Sequence, residues 1–224
     1  MEKKQKENVI QLAVFTVALI LSAIKPFEFS TWAMEAAIPI AATIFLIVIY
    51  RKVTLSRTAY WLLLAFFLIH LYAAHYSYSA TPIGNWFQET FSMARNNYDR
   101  VVHFLFGFLL VMIVREFLIR TTPLKNSIML FTLSTCVIGT LGVIYELVEW
   151  VAALIFDPDG GGAFLGAQGD IWDAQWDLFL ALLGAILGQW IFRKLYMRIM
   201  KQEGCMEVYN SENTCGFFEG LIKG

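Results

Sequence analysis

Charge is scarce in this chain. Asp, Glu, Lys and Arg together make up 16% of its 224 residues and nearly cancel, leaving a formal net charge of −1. A nucleic-acid partner calls for a basic face, and this balance supplies none, so no nucleic acid is expected. Cysteine is scarcer still. Cys136, Cys205 and Cys215 are too few and too scattered for a disulfide framework. Histidine occurs at only three positions, His70, His75 and His103, and nowhere in a compact His-Glu-x-x-His signature. Internal repeats are also missing by eye, which argues against an inverted-repeat transporter. What dominates instead is apolar: 58% of residues are hydrophobic and the mean hydropathy is +0.59. Such a chain is an all-α, polytopic membrane bundle and not a soluble domain with a large core.

Six apolar runs are long enough, with their flanks, to span a bilayer: residues 9–24, 32–50, 58–75, 101–119, 127–156 and 172–196. The first could be mistaken for a cleaved signal peptide, but Leu21 stands where a small residue is needed before Ala23, so it reads as a retained helix. Between the third and fourth runs lies a polar interval, 76–100, with Pro82-Ile83-Gly84 as turn material. Asp157-Pro158-Asp159-Gly160-Gly161-Gly162 separates the fifth run from the sixth, and 197–224 forms a short tail beyond the single membrane domain. Six spans place both termini on one side. Fourteen of the seventeen Lys and Arg residues fall on that side, against Lys25, Arg95 and Arg100 opposite. The positive-inside rule then puts both termini in the cytoplasm, where Cys205 and Cys215 are expected as free thiols.

Ionisable residues recur at helical spacing near the outer ends of three spans. Asp170, Asp173, Asp177, Ala181, Gly184 and Gly188 share one stripe. Glu149, Glu146, Gly142, Gly139 and Thr135 form a second, and Asp99, His103 and Gly107 a third. In each, acids or a histidine sit at the mouth with small residues deeper down, and small faces bring membrane helices together. Trp172 and Trp176 flank the first stripe, as aromatics do at a membrane–water boundary. If the faces meet, Asp99, His103, Glu146, Glu149, Asp170, Asp173 and Asp177 line one outward-opening pocket, with Arg100 available to orient an anionic group. The bland alternative is capping of a helix start by Asp170 and Asp173, or pairing of Arg100 with a carboxylate. Glu146 and His103 lie a turn or more inside their spans, where ionisable groups mark function. Arg115-Glu116, near the inner end, reads as a structural pair.

Crowded carboxylates either share protons or hold a cation. With imidazole they make a first shell suited to a divalent transition metal that could activate water. His103, Glu146, Glu149, Asp173 and Asp177 are the expected ligands. The segment from Asp157 departs from a calcium loop, because Gln168 occupies the place of the closing Glu. Its glycines suit a flap over the pocket.

Several of these segments resemble the YjdF-like family of bacterial inner-membrane proteins, an uncharacterised family. The residues that carry the resemblance are His75-Tyr76-Ser77-Tyr78, Arg95-Asn96-Asn97-Tyr98-Asp99-Arg100 with His103-Phe104, Arg115-Glu116, Tyr145-Glu146-Leu147-Val148-Glu149-Trp150 and Gly166 to Asp177. It runs to about residue 193 and implies a multi-pass inner-membrane location. It also adds His75, Gln168 and Gln175 to the residues of interest around the site. More distantly, Asp99-Arg100-Val101-Val102-His103-Phe104, and Asp177 with Gly184-Ala185-Ile186-Leu187-Gly188, resemble the pattern of VanZ-like proteins, linked to glycopeptide tolerance. Glu149-Trp150 departs from the Glu-Gln usual there. That resemblance implies that the last three spans are the functional unit and that the substrate is a lipid or linked to the envelope. Three readings compete: a membrane-embedded hydrolase or transferase, a proton- or ion-coupled carrier, and a structural or interaction protein. Inner halves poor in polar residues weigh against the carrier.

Overall fold

The computed structural model of the chain describes residues 3–124, 127–156 and 168–202. The glycine-rich loop from Asp157 and the Cys205 and Cys215 thiols lie outside the described residues. Among the described residues there are seven helices, one 3-10 turn and no strand. They are α1 (Lys3–Ser22), α2 (Phe29–Ile49), α3 (Arg57–Tyr76), the turn Tyr78–Ala80, α4 (Pro82–Thr90), α5 (Tyr98–Thr121), α6 (Ile128–Phe156) and α7 (Asp173–Gln202). The all-helical, polytopic class is as expected. A membrane admits few other solutions, because helices satisfy their own backbone polar groups in hydrocarbon.

Five helices, α2, α3, α5, α6 and α7, are long and apolar enough to cross a bilayer by length and composition. α1 is more polar in its first turns but lies along α3 from end to end. Glu7 pairs with Arg57 at the start of α3, and His75 Nδ1–H donates to the Ser22 carbonyl at 3.0 Å at the other end. Local chemistry sets the boundaries between helices. Ser56 caps α3, its hydroxyl accepting from the Ala59 N–H at 3.2 Å. Ser77, in the left-handed region at φ 63°, breaks the chain out of α3. Pro82 then opens α4, where a missing N–H is harmless.

The polar interval of the sequence thus contains a short helix. Ile83, Trp86, Phe87 and Phe91 of α4 and its exit are exposed, whereas Gly84 packs on the side chain of buried Asn96. An apolar face at the end of a bundle is the form of a helix lying in the membrane interface.

α5 and α7 form the most extensive helix pair, and glycine makes it possible. A Cβ on Gly107 would fall 1.8 Å from the Ala181 carbonyl oxygen. One on Gly184 would fall 2.2 Å from that of Phe104, and one on Gly188 2.5 Å from that of Phe108. Backbone therefore meets backbone along the α5–α7 seam. The α6 glycines behave differently: Gly139 and Gly142 receive the side chains of Leu182 and Leu178, not another backbone. The expectation of three small faces meeting alike thus holds for two helices, and the third uses its glycines as sockets for leucine.

At one end of the bundle stand Lys6, Arg51, Lys52, Arg57, Arg120, Arg193, Lys194, Arg198 and Lys201, on the N-terminus of α1, the α2–α3 link and the ends of α5 and α7. Here Arg115 and Glu116, adjacent in sequence, are held by different partners. Glu116 is fully buried and accepts from Ser56 N at 2.5 Å, Ser56 Oγ at 2.6 Å, Tyr196 Oη at 2.7 Å and Arg120 Nε at 2.7 Å. Arg115 donates to Gln189 Oε1 at 2.9 Å. The acids and histidines gather at the opposite end.

Candidate functional site

The first turns of α5 and α7 carry the site, and the tight seam between them fixes its dimensions. Asp99 and His103 are one turn apart on α5, and Asp177 projects from α7. All three are buried. One donor atom from each lies within 4.8 Å of the other two. His103 Nε2 stands 3.5 Å from Asp99 Oδ1 and 3.7 Å from Glu146 Oε1 of α6. Two oxygens here are buried without a hydrogen-bond partner, Asp177 Oδ1 and Glu146 Oε1. Native proteins rarely leave such acceptors bare, and each one requires a reason.

Glu149 lies one turn beyond Glu146 on α6. Neither Asp177 nor Glu146 has an arginine within ion-pair distance among the described residues. The centre is therefore acid-rich and cation-poor at short range.

Above it, at the mouth, the charges are matched. Arg95 bonds Asp173 Oδ1 at 2.5 Å and approaches Asp170 at 3.8 Å. Arg100 bonds Asp170 Oδ2 at 2.5 Å, approaches Asp173 at 3.7 Å, and lies over the Trp176 ring at 5.6 Å. Asp170 precedes α7 by three residues, and its Oδ1 accepts from the Trp172 N–H at 2.9 Å, a turn ahead of the helix and not a cap of its first amides. That backbone bond, helped by Arg100, holds the Asp170 carboxyl below its ordinary range. Gln168 bridges to Asn96, accepting from its N–H at 3.0 Å and donating to its carbonyl at 2.9 Å. Asn96 in turn donates to the Asn85 side chain at 2.8 Å and accepts from Tyr98 N at 3.0 Å. The segment before α7 is thus tied to the segment before α5, closing the mouth on one side. Trp172 and Trp176 are exposed beside it, and Gln175 is exposed as well.

Behind the centre stands a polar group that the sequence reading passed over. Glu35 of α2 is 1% exposed. It accepts from the Tyr145 hydroxyl at 2.6 Å and lies 3.5 Å from His70 Nε2. His70 Nε2–H donates to the Glu35 carbonyl at 2.9 Å, which leaves Nδ1 to accept from the Tyr78 hydroxyl at 2.6 Å. Burial pushes the Tyr78 phenol well above its usual range, so it stays protonated and donates. Tyr145 packs edge-on against His103, with ring centroids 5.6 Å apart. A continuous chain of contacts therefore runs Tyr78–His70–Glu35–Tyr145–His103. His75, singled out in the sequence beside Tyr76-Ser77-Tyr78, is instead spent on Ser22 of α1. The signal for Glu35 and His70 was present, since each is an ionisable residue inside an apolar span.

Below the centre the bundle is apolar. Val111, Ile138, Ala181 and Ala185 are fully buried and Met112 nearly so. They fill the space between His103 and the Arg115–Gln189 pair, about 18 Å further along α5 at 1.5 Å per residue.

Comparison with known proteins adds the family. Residues 8–198 match the model of a family described as predicted membrane protein (DUF2238). The chain is also 32% identical, over 206 residues, to inner membrane protein YjdF of Escherichia coli (strain K12), an alignment covering 91% of this chain and 98% of that protein. No solved structure matches.

Proposed function

Because the chain belongs to the YjdF-like (DUF2238) family of multi-pass inner-membrane proteins, we propose that its acid and histidine cluster is the active site of a membrane-embedded, metal-assisted hydrolase or transferase. The site opens outward, on the side opposite the basic residues, and acts on a lipid or envelope-linked substrate. The observation that carries this reading is the pair of bare, buried oxygens on Asp177 and Glu146 beside the Asp99–His103–Asp177 donor set.

The residues fit a divalent transition metal. Carboxylate with imidazole is a donor set for zinc, manganese or iron. One donor atom of each residue lies within 4.8 Å of the other two, close enough for side-chain rotation to bring all three to one ion. Asp99, His103 and Asp177 would hold the ion, with Glu146 as fourth ligand or as general base. When bound, the ion supplies Lewis acidity and lowers the pKa of a coordinated water. In the base role Glu146, whose Oε1 is buried and bare beside the donor set, would accept a proton from water held there and could return it to a leaving group. Asp173 is tied to Arg95 and is not needed as a ligand. Arg100 faces the mouth, where an anionic substrate group can exchange with Asp170.

What supports a blind pocket over a through-path is the apolar layer below it and the backbone contacts at Gly107, Gly184 and Gly188, which leave no polar route among the described residues. What supports a lipid-linked substrate is the exposed aromatic rim of α4, Trp172 and Trp176. The resemblance of the α5 and α7 segments to VanZ-like proteins points the same way.

The test is elemental analysis of protein purified in detergent without chelator. About one transition-metal ion per chain is expected in the wild type, and none in folded Asp177→Asn. Wild type that stays metal-free after incubation with zinc and with manganese would overturn the metal-assisted mechanism.

A further inference from the structure

A second feature lies at the opposite, basic end of the bundle and is independent of the acidic site. α1, α2 and α3 enclose a cleft of about 430 Å³, within the range of small-molecule sites. Its walls are apolar, from Leu12 and Phe15 of α1, Leu46 and Ile47 of α2, and Leu64 and Phe67 of α3. One wall residue does not belong in an apolar cleft. Gln11 is 6% exposed, and neither its amide nitrogen nor its amide oxygen has a hydrogen-bond partner. One turn earlier Asn8 also faces the cleft. Its Nδ2 donates to the Tyr50 hydroxyl at 3.1 Å while its Oδ1 is bare and buried. Helix packing alone does not account for an amide buried with both ends unsatisfied.

The rim supplies the complementary observation. Lys6, Arg51 and Lys52 are exposed where α1 begins and α2 ends, next to the cleft-lining Gln5 and Tyr50. Glu7 is tied to Arg57 and so does not offset them. From Lys6 to Gln11 is about 7.5 Å along the helix, a spacing that suits the step from a lipid phosphate to its ester carbonyls. We propose that this cleft binds one anionic phospholipid. One acyl chain lies between α1, α2 and α3, an ester carbonyl accepts from the Gln11 amide, and the phosphate sits among Lys6, Arg51 and Lys52. Bulk lipid tails could fill the apolar walls equally well, but they offer the Gln11 amide no acceptor. Basic clusters at this level of a membrane protein recognise anionic headgroups.

Native mass spectrometry and thermal melting in detergent, with added phosphatidylglycerol or phosphatidylcholine, test the proposal on the full chain. Wild type should retain about one phosphatidylglycerol and melt higher with it than with phosphatidylcholine. Gln11→Leu should bind phosphatidylglycerol about tenfold more weakly, the effect of one lost hydrogen bond. Without lipid it should melt no lower than wild type, since the bare amide is gone. A triple Lys6→Gln/Arg51→Gln/Lys52→Gln variant should lose the preference between headgroups. Thr43→Phe, filling the cleft from α2, should abolish retention of either lipid. Gln11→Leu and Thr43→Phe both binding as tightly as wild type would overturn the proposal. So would equal retention of the two lipids by wild type, or a dimer whose second copy covers the cleft.

Discussion

The α5–α7 seam can be challenged with a single methyl group. In Gly107→Ala the new Cβ would sit 1.8 Å from the Ala181 carbonyl oxygen and 2.8 Å from the Ala185 nitrogen. Neither obstacle is a side chain that can swing away. Contact at about 3.4 Å then requires the two helices to part by roughly 1.5 Å at that level, and overpacking of this kind costs about 1–3 kcal/mol. Rigid obstacles on the tightest helix pair place Gly107→Ala at about 3 kcal/mol. Gly142→Ala is the control. Its Cβ would meet only Leu178 Cδ2, at 3.1 Å, and a leucine methyl can yield. The gain in helix propensity of about 1 kcal/mol offsets that contact, so the variant should be near neutral.

Unfolding in mixed SDS micelles, followed by tryptophan fluorescence, reads both variants. The same substitution has a second consequence, because His103 and Asp99 belong to α5 and Asp177 to α7. Parting the helices stretches the donor set, so Gly107→Ala should bind added zinc more weakly even where it remains folded. Gly107→Ala as stable as wild type, or Gly142→Ala the more damaging of the two, would refute this account of the seam.

Other perturbations separate the layers of the site. Asp173→Asn should keep its metal while Asp177→Asn loses it, because Asp173 is engaged with Arg95 at 2.5 Å and Asp177 Oδ1 is bare; elemental analysis of the two folded variants decides. Glu116→Ala should lose about 3–5 kcal/mol of stability, since it removes the acceptor of the buried Ser56 donors and the carboxylate partner of Arg120, without changing zinc affinity in a titration. Asp170 has its folded pKa below the unfolded value, so its stabilisation is complete above about pH 4 and is lost as pH falls through the folded pKa. Melting temperatures should therefore fall less steeply on acidification below about pH 4 in Asp170→Asn than in wild type.

How much of this was legible depends on how many contributions a single helix makes. The stripe read from Asp170 to Gly188 starts in the structure at Asp173, because α7 does; Asp173, Asp177, Ala181, Gly184 and Gly188 are one face of one helix, and so are Asp99, His103 and Gly107. A period of 3.6 residues exposes both directly, and the structure buries every one of these side chains. Glu35, His70 and Tyr145 each come from a different helix, one polar residue apiece, so no spacing connects them. Only the rule that an ionisable residue in an apolar span has a purpose could have flagged Glu35 and His70. His70 and His75 are alike by that rule, and their fates diverge because tertiary packing turns one toward α2 and the other toward α1. Gly139 and Gly142 resembled a backbone contact surface, yet a glycine on a membrane helix can equally be a socket for a side chain, and sequence does not distinguish the two. Helix α4 was hidden by its nine residues, too few to register as an apolar run.

The depth of the proposed metal ligands relative to the aromatic rim bears on how a substrate would reach them. Asp173 opens α7, Asp177 lies one turn in, and His103 is likewise little more than a turn into α5. The centre is therefore about 6 Å below the helix ends at 1.5 Å per residue, just beneath the level at which interfacial tryptophans sit. A water-soluble substrate would have to pass the Arg95, Arg100, Asp170 and Asp173 lattice, whose members are already paired. An anionic lipid head group already lies at that depth and needs only to exchange with Asp170 on Arg100, the more exposed of the two arginines. Arg100→Gln should therefore weaken capture of an anionic amphiphile while leaving the metal in place. Equal turnover of a lipid substrate and its short-chain, water-soluble analogue would refute entry from the membrane.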